Sequence, residues 1–498
     1  MRQGSLTIFF SMILLSLFSL FFSMVETLRI YEMRLESRSV TKIAIANAFS
    51  EYQPYLWKTY GILALDVGYG TEDFDLAHIE KRLSDFAWEN CLGSEKEHGL
   101  ELFSIEPEQA EVTAYGLLTD DEGAALICQG AEVARQQILQ GIWETWDSKY
   151  GQVADDREVP DVGQIVAQAK KGIEVAKEQK TEEGSAGNEQ VAEDQMSSTP
   201  VEKVRENPLE LFSQIKEQGL LGLVLKDQAV SEKTLATAIG LEERLLCQGS
   251  GEKRREVSGY DRICFDWYVL QEFSHFDREV SADRALSYEV EYLIAGKASD
   301  RENLEAVVLR LLAMREVQNA EVILTDPTMM GQAYEIALAL AGASVNPALV
   351  QVVQVVQVAV VAVWALVESI LDLRALLDGK KIPMLKTRAQ WKSQLGALQT
   401  ALDGGEDTSV QKGIGYQEYL FALLALLPQK KLAYGCMDLM EASMQQQEDY
   451  AYVKMDHMVY TMDISCSFTG QGLFDAFLPM QPLWVDLYRS ECQETLYY

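Results

Sequence analysis

The chain begins with an unbroken apolar run. Residues 4–25, GSLTIFFSMILLSLFSLFFSMV, carry no charge and are preceded by one basic residue, Arg2. At ~1.5 Å rise per residue such a helix spans the roughly 30 Å hydrocarbon core of a bilayer, which takes ~20 apolar residues. A cleaved secretory signal has a core of only ~7–15 apolar residues and a small-x-small cleavage site. Here Ser23-Met24-Val25 leads into Glu26, so residues 5–25 read as a retained anchor contacting membrane lipid. A soluble core helix is rarely apolar on every face. Residues 26–50 contain neither Gly nor Pro, so the helix is expected to run on past the bilayer as a stalk, with Leu28, Tyr31 and Leu35 on one face. Pro54 marks its end.

Beyond the stalk the period changes repeatedly. Ala110, Val112 and Ala114 alternate with Glu111, Thr113 and Tyr115, which suits a half-buried strand. Ile127, Ala131, Ile138, Ile142 and Trp146 are the apolar positions of a following helix. Residues 181–200 hold almost no large apolar side chain, cannot offset chain entropy by burial, and read as part of a linker. Ser299 and Glu302 have capping-box spacing ahead of a stripe of Leu304, Val307, Val308, Leu311 and Leu312. Asn346-Pro347 reads as the start of a helix running to about Leu377 and stopped at Gly379. Further helices fit 388–402, 415–427 and 431–446. Tyr460, Met462, Ile464, Cys466 and Phe468 then alternate with polar residues as a strand, and Leu483, Val485 and Leu487 alternate again.

The expected fold is therefore α+β and mainly helical: an N-terminal transmembrane and stalk helix, then a helical body with small antiparallel sheets. The expected spans are 1–50 for anchor and stalk, 51–150 for a small α+β region, 151–207 for an acidic low-complexity linker, and 208–498 for the helical body with its C-terminal strands.

A second uncharged run, residues 348–367, is also long enough to cross a bilayer. Lys380, Lys381, Lys386 and Arg388 lie beyond it, as they would on the cytoplasmic side of a returning helix. Against this, Gln351, Gln354 and Gln357 recur every three residues, and Glu368 and Asp372 come within two turns. A lipid-facing stripe of unpaired amides is costly. A helix buried in protein is the favoured reading and a second span the alternative.

Charge and motifs narrow the function. Asp and Glu number 76 against 43 Lys and Arg, a net charge of −33, which argues against nucleic acid and against tight apposition to anionic lipid. Seven cysteines (Cys91, Cys128, Cys247, Cys264, Cys436, Cys466 and Cys492) occur singly with no CxxC pair, neither a zinc pattern nor a dense disulfide framework. The C-terminal trio is the place for a disulfide if one forms. None of His78, His98, His275 and His457 lies at metal-pair spacing from another, so each reads as an ordinary histidine and no metal is expected. Asp120-Asp121-Glu122 lacks the alternating ligands of a calcium loop and suits an acidic helix start. The tyrosines near the end (Tyr450, Tyr452, Tyr460, Tyr488, Tyr497 and Tyr498) fit strand propensity. GxSxG, HExxH, P-loop and GxGxxG motifs are absent from the sequence, so no catalytic residue and no cofactor is assigned.

The head, from Gly4 to Asp66, resembles the N-termini of the TadE/TadG-like proteins of Tad (tight-adherence, Flp-type) pilus loci. Over the whole length the chain resembles a clostridial family of uncharacterised membrane proteins found with such loci. Four stretches in order carry the likeness: the head, residues 288–320, residues 364–387 and residues 415–427. The resemblance implies a single-pass cell-membrane protein with a short cytoplasmic N-terminus, a large extracytoplasmic body, and non-catalytic partnership with a pilus or secretion machine. In TadE/TadG-like pseudopilins a prepilin peptidase cuts after a glycine ahead of the apolar helix, and Gly4-Ser5 is the matching bond. The type IV pilin pattern has Glu at the fifth mature position, where this chain has Phe9. The alternative function is an anchored extracytoplasmic sensor or ligand-binding protein, which requires a concave pocket in the 208–498 body.

Overall fold

Two units, each assembled from separated stretches of chain, make up the computed structural model: Met1–Gln140, Ala238–Tyr268 and Pro428–Tyr498 in unit 1, Gly141–Thr237 and Val269–Leu427 in unit 2. The structure describes residues 2–91, 105–138, 162–183, 207–226, 228–235, 240–244, 246–251, 256–341, 350–404, 413–470 and 488–498. The fold is mainly helical α+β, as the hydrophobic pattern indicates.

Unit 1 is built on one long helix and one sheet. Helix α1 runs unbroken from Arg2 to Ser50. After it, Gln53 accepts a hydrogen bond from Tyr55 N at 3.1 Å and Pro54 takes the first helical position, which starts α2 (Pro54–Tyr60). Strand β1 (Leu65–Asp66), α3 (Ala77–Asn90), β2 (Ile105–Leu117) and α4 (Asp120–Ile138) come next. Near the other end of the chain, β3 (Met458–Gly470) and β4 (Arg489–Tyr497) complete the sheet. Strand β3 is its centre, antiparallel to β1, β2 and β4. Pro107 is tolerated in β2 because, among the described strands, β2 is laddered to β3 alone, and the register slips beside it. Met462, Ile464, Cys466 and Phe468 all join the core beneath α1 and α3, as their alternation requires.

Unit 2 is a helical body. Helix α5 (Val162–Glu183), α6 (Asp300–Thr325) and α7 (Pro327–Ala341) each pack against α8 (Val350–Leu377). Ser299 caps α6 by accepting from Glu302 N at 3.3 Å. Gly379, at φ +75°, turns the chain after α8, where its N–H and that of Lys380 close onto Leu376 O and Ala375 O.

Several expectations are revised. The contiguous body over 208–498 is split, because β3 takes its partners from residues 65–66 and 105–117 and so belongs with α1 in unit 1. The expected linker over 151–207 contains α5, whose Val166 and Ala169 are buried; residues 184–200 lie outside the described residues, as do Ile142 and Trp146, Asn346-Pro347, and Leu483, Val485 and Leu487. The strand expected at 460–468 is the centre of a four-stranded antiparallel sheet. Residues 388–402 are not one helix. They form a single 3-10 turn at Arg388–Gln390 and a short helix at Leu398–Asp403. The Glu368 carboxylate accepts the backbone N–H groups of Lys392 and Ser393, at 3.0 and 2.9 Å, and so holds that stretch in a non-helical loop.

Candidate functional site

The first half of α1 is bare. Leu14, Leu15, Phe18 and Leu20 point in different directions around the helix, yet are 55, 74, 52 and 69% exposed. Burying each such side chain is worth about 1.5–3 kcal/mol. A cylinder of this kind is covered by lipid or by other helices, and its length and composition fit a membrane anchor. Gly4 and Ser5 lie within the first turns of this helix.

The second half has a seat. Met33, Ser37, Val40, Thr41, Ala44, Ile45, Ala48 and Phe49 are buried, at spacings of three, four and one that keep them on one face. Ser37, Thr41, Ala44 and Ala48 are small and fully covered, which lets the helix lie close on the sheet. The two hydroxyls close back onto Met33 O and Ser37 O at 2.7 and 2.8 Å, so neither is left unsatisfied under the strands.

Strand β4 runs alongside this half of α1. Tyr488 OH donates to Glu26 at one end. In the middle, Arg38 and Lys42 pair with Glu494 at 3.3 and 3.8 Å. At the far end Tyr498 OH donates to Phe49 O, and the two rings lie 4.7 Å apart. The lengths agree: from Glu26 to Phe49 a helix rises about 35 Å, and from Tyr488 to Tyr498 a strand covers about 33 Å. Helix and strand thus stay level for the whole stalk. The C-terminal tyrosines do more than favour a strand, since Tyr488 and Tyr498 fasten its two ends to α1.

Polar clusters lie elsewhere in each unit. In unit 1, Arg244 donates to both Glu441 oxygens, at 2.7 and 2.8 Å, and also to Asp456. Cys247, Asp456 and His457 stand beside it, each offering a ligand atom within 4.8 Å of the other two. Asp120 accepts from Leu117 N and Gly249 N, at 2.7 and 3.1 Å, and Asp121 and Glu122 take left-handed φ of 51° and 60°. The acidic triplet is therefore a turn ahead of the helix proper.

In unit 2, the C-terminal half of α8 carries a buried ionic network. Arg315 donates to Asp372 at 2.7 Å, while Lys386 pairs with both Glu368 and Asp372, and all four side chains are fully covered. Burial alone would raise the Asp372 carboxyl, but the Arg315 and Lys386 cations outweigh it and hold it below its ordinary value. Lys386 is thus committed inside the fold and is not a flanking charge of a span. Gln357 donates to Met330 O at 3.1 Å, whereas Gln351 and Gln354 face outward. A second group is carboxylic. Glu289 accepts from Ser274 N at 2.8 Å, and Glu291 from Tyr416 OH at 2.7 Å; burial pushes both up to about 7. Nearby His275, held down to about 4 by burial, has neither ring nitrogen hydrogen-bonded, so no serine or carboxylate orients it as a base.

Unit 2 also contains a cavity of about 600 Å³ between α5, α6, α7 and α8, walled by side chains such as Ile165, Leu324, Met330 and Val361. Glu316 stands in its wall, with its carboxyl pushed up to about 7 by burial.

Sequence reasoning found the long apolar N-terminal helix and missed the clusters. An i, i+4 pair of acids, Glu368 and Asp372, directly after an apolar run was a readable signal for a buried network. Nothing in the sequence joined Cys247 to Asp456, 209 positions away. His98 lies outside the described residues. All seven cysteines are free thiols, although Cys466 and Cys492 face one another across β3 and β4. The family of unknown function DUF5702 matches residues 199–470, more than half of the chain. No curated protein and no solved structure matches the chain.

Proposed function

The chain belongs to the DUF5702 family, whose function is unknown, and from that premise we propose that it is a membrane-anchored, non-catalytic structural or assembly component of a Tad-like pilus or secretion machine, held by a single span with its body outside the cytoplasm. One observation carries this reading. A single helix is bare and apolar for its first half and locked onto an antiparallel sheet for its second. Lipid can cover the bare half, and so can the like helices of neighbouring subunits. The sheet-bound half passes any displacement of the anchor directly to the sheet. That is what a subunit or adaptor of a fibre-building machine needs. The Tad-like likeness of the head supplies the machine, and Gly4-Ser5 is the bond that a prepilin peptidase would cut.

The test is genetic. Deleting the gene should abolish surface fibres or secretion by the associated machine. The wild-type chain should restore them, and a Leu14→Arg, Leu17→Arg chain should not. Normal fibres and secretion in the deletion strain would sink the proposal. Topology is checked separately by a reporter cysteine after Tyr498 in a cysteine-free background. Labelling of whole cells by an impermeant thiol reagent is the expected result; labelling only after lysis would put the body in the cytoplasm.

The cavity beside Glu316 favours a second reading, an anchored ligand-binding protein. Its volume lies within the ~300–1,000 Å³ of small-molecule sites. Its chemistry suits an apolar molecule with one amine or hydrogen-bond donor. Stabilisation by long-chain amines that is lost in Glu316→Ala would support this reading; no stabilisation by any such probe would remove it.

A further inference from the structure

We propose that Cys247, Asp456 and His457 form a binding site for a divalent transition-metal ion of the zinc class. The donors are a thiol, an imidazole and a carboxylate, the set that borderline-soft ions select over magnesium or calcium. Their ligand atoms already lie within 4.8 Å of one another. In a tetrahedral site with bonds of ~2.0–2.3 Å the ligands stand about 3.3–3.8 Å apart, so closing the site takes side-chain adjustment of about 1 Å.

His457 is the second, independent pointer. Its residue is only 4% exposed, and Nδ1 makes no hydrogen bond. Leaving a buried polar nitrogen unmatched costs free energy that a bound partner would recover.

The surrounding charges suit a dication. Arg244 is matched by the Glu441 carboxylate, which it grips with two hydrogen bonds. Arg244 also takes Asp456 Oδ1, and the other oxygen, Oδ2, faces the N–H of Cys247 at 3.4 Å. Counting Arg244 against Glu441 leaves the Asp456 carboxylate and a Cys247 thiolate to neutralise two positive charges. The neighbouring cation Lys454 is tied to Glu72 O at 3.3 Å. Ligation by the thiolate releases one proton: Cys–SH and M²⁺ give Cys–S⁻–M²⁺ and H⁺.

The ligands come from two segments that the fold holds in place. Cys247 lies in the stretch 246–251, where Gly249 N donates to Asp120 at 3.1 Å and Ser250 N to Tyr115 O at 2.9 Å. Asp456 and His457 belong to the 3-10 turn Met455–His457 that leads directly into β3. A metal would therefore staple this stretch to the start of the central strand, with a fourth position left for water.

The experiment uses full-length protein in detergent, stripped with a chelator and titrated with Co²⁺. The expected result is one ion per chain with a thiolate-to-cobalt charge-transfer band in the near ultraviolet, displaced by Zn²⁺. Cys247→Ser should lose the band, and so should His457→Gln. Peptide mapping should show Zn²⁺ slowing alkylation of Cys247 in the wild-type chain, a readout that needs no variant to fold. No band at saturating Co²⁺, a band retained in a folded Cys247→Ser chain, or unchanged alkylation of Cys247 would each overturn the proposal.

Discussion

Among the described residues, two helices are long and apolar enough to cross a bilayer, and they have opposite fates. The most apolar stretches of α1 and α8 have nearly equal mean hydropathy, 2.4 and 2.2, yet the first is 0% buried and the second 56%. Hydropathy does not separate them, but the residues just beyond each apolar run do. After Val25, α1 continues as an amphipathic stalk whose buried polar groups are two small hydroxyls closed onto their own backbone. After Val367, α8 carries Glu368 and Asp372 into the core, and these are tolerated only where Arg315 and Lys386 meet them. An apolar run is a core helix when its continuation commits charges to partners inside the protein.

The largest effect is expected at Lys386. Lys386→Met leaves Glu368 and Asp372 short of a cation and is expected to destabilise unit 2 by about 3–5 kcal/mol in denaturant titration, without releasing the protein from membranes. Leu14→Arg should do the reverse. It costs ~2.5–3.5 kcal/mol of insertion and should move the protein into the soluble fraction of carbonate-washed membranes, with the body still folded by circular dichroism.

Proton linkage gives a third, smaller test, specific to unit 2. Glu289 and Glu291 are held at about 7 against an ordinary 4.5. Between these values the folded state binds more protons than the unfolded chain, so stability falls as pH rises through that window and stays low above it. His275 acts oppositely, its stability being lost as pH falls from 6.5 toward 4. The thermal midpoint of unit 2 should therefore be higher at about pH 6 than at about pH 8, and Glu291→Gln should flatten that slope. The smallest effect is expected on the stalk. Glu494→Ala removes the partner of Arg38 and Lys42, both largely exposed, and should cost about 0–1 kcal/mol, shrinking with salt.

Local features were legible in the sequence because they rest on neighbours. The alternation at Tyr460–Phe468 gave β3, the Ser299 cap gave the start of α6, and Pro54 gave the end of α1. Non-local pairings were not legible. Nothing about β3 says that residues 65–66 and 105–117 will flank it, so the division into units escaped a reading by contiguous composition. The loop at 391–393 escaped because a carboxylate on α8 captures its amides. The cluster at Cys247 and His457 escaped for the same reason: its members share no periodicity and meet only through tertiary structure.

The seating of α1 also sets an order of events in synthesis. Helix α1 and α3, which packs on it, are made well before β3 and β4, which complete the cover of its buried face. At ~5–20 residues per second, the roughly 400 residues between Ser50 and Met458 take about 20–80 s to emerge. Throughout that interval the apolar first half of α1 is already made while Val40, Ala44 and Ile45 have no strands to cover them. A chain interrupted before Met458 has only α3 over that stripe and leaves its strand-facing side open, a mark by which chaperones and proteases can tell an unfinished molecule from a finished one.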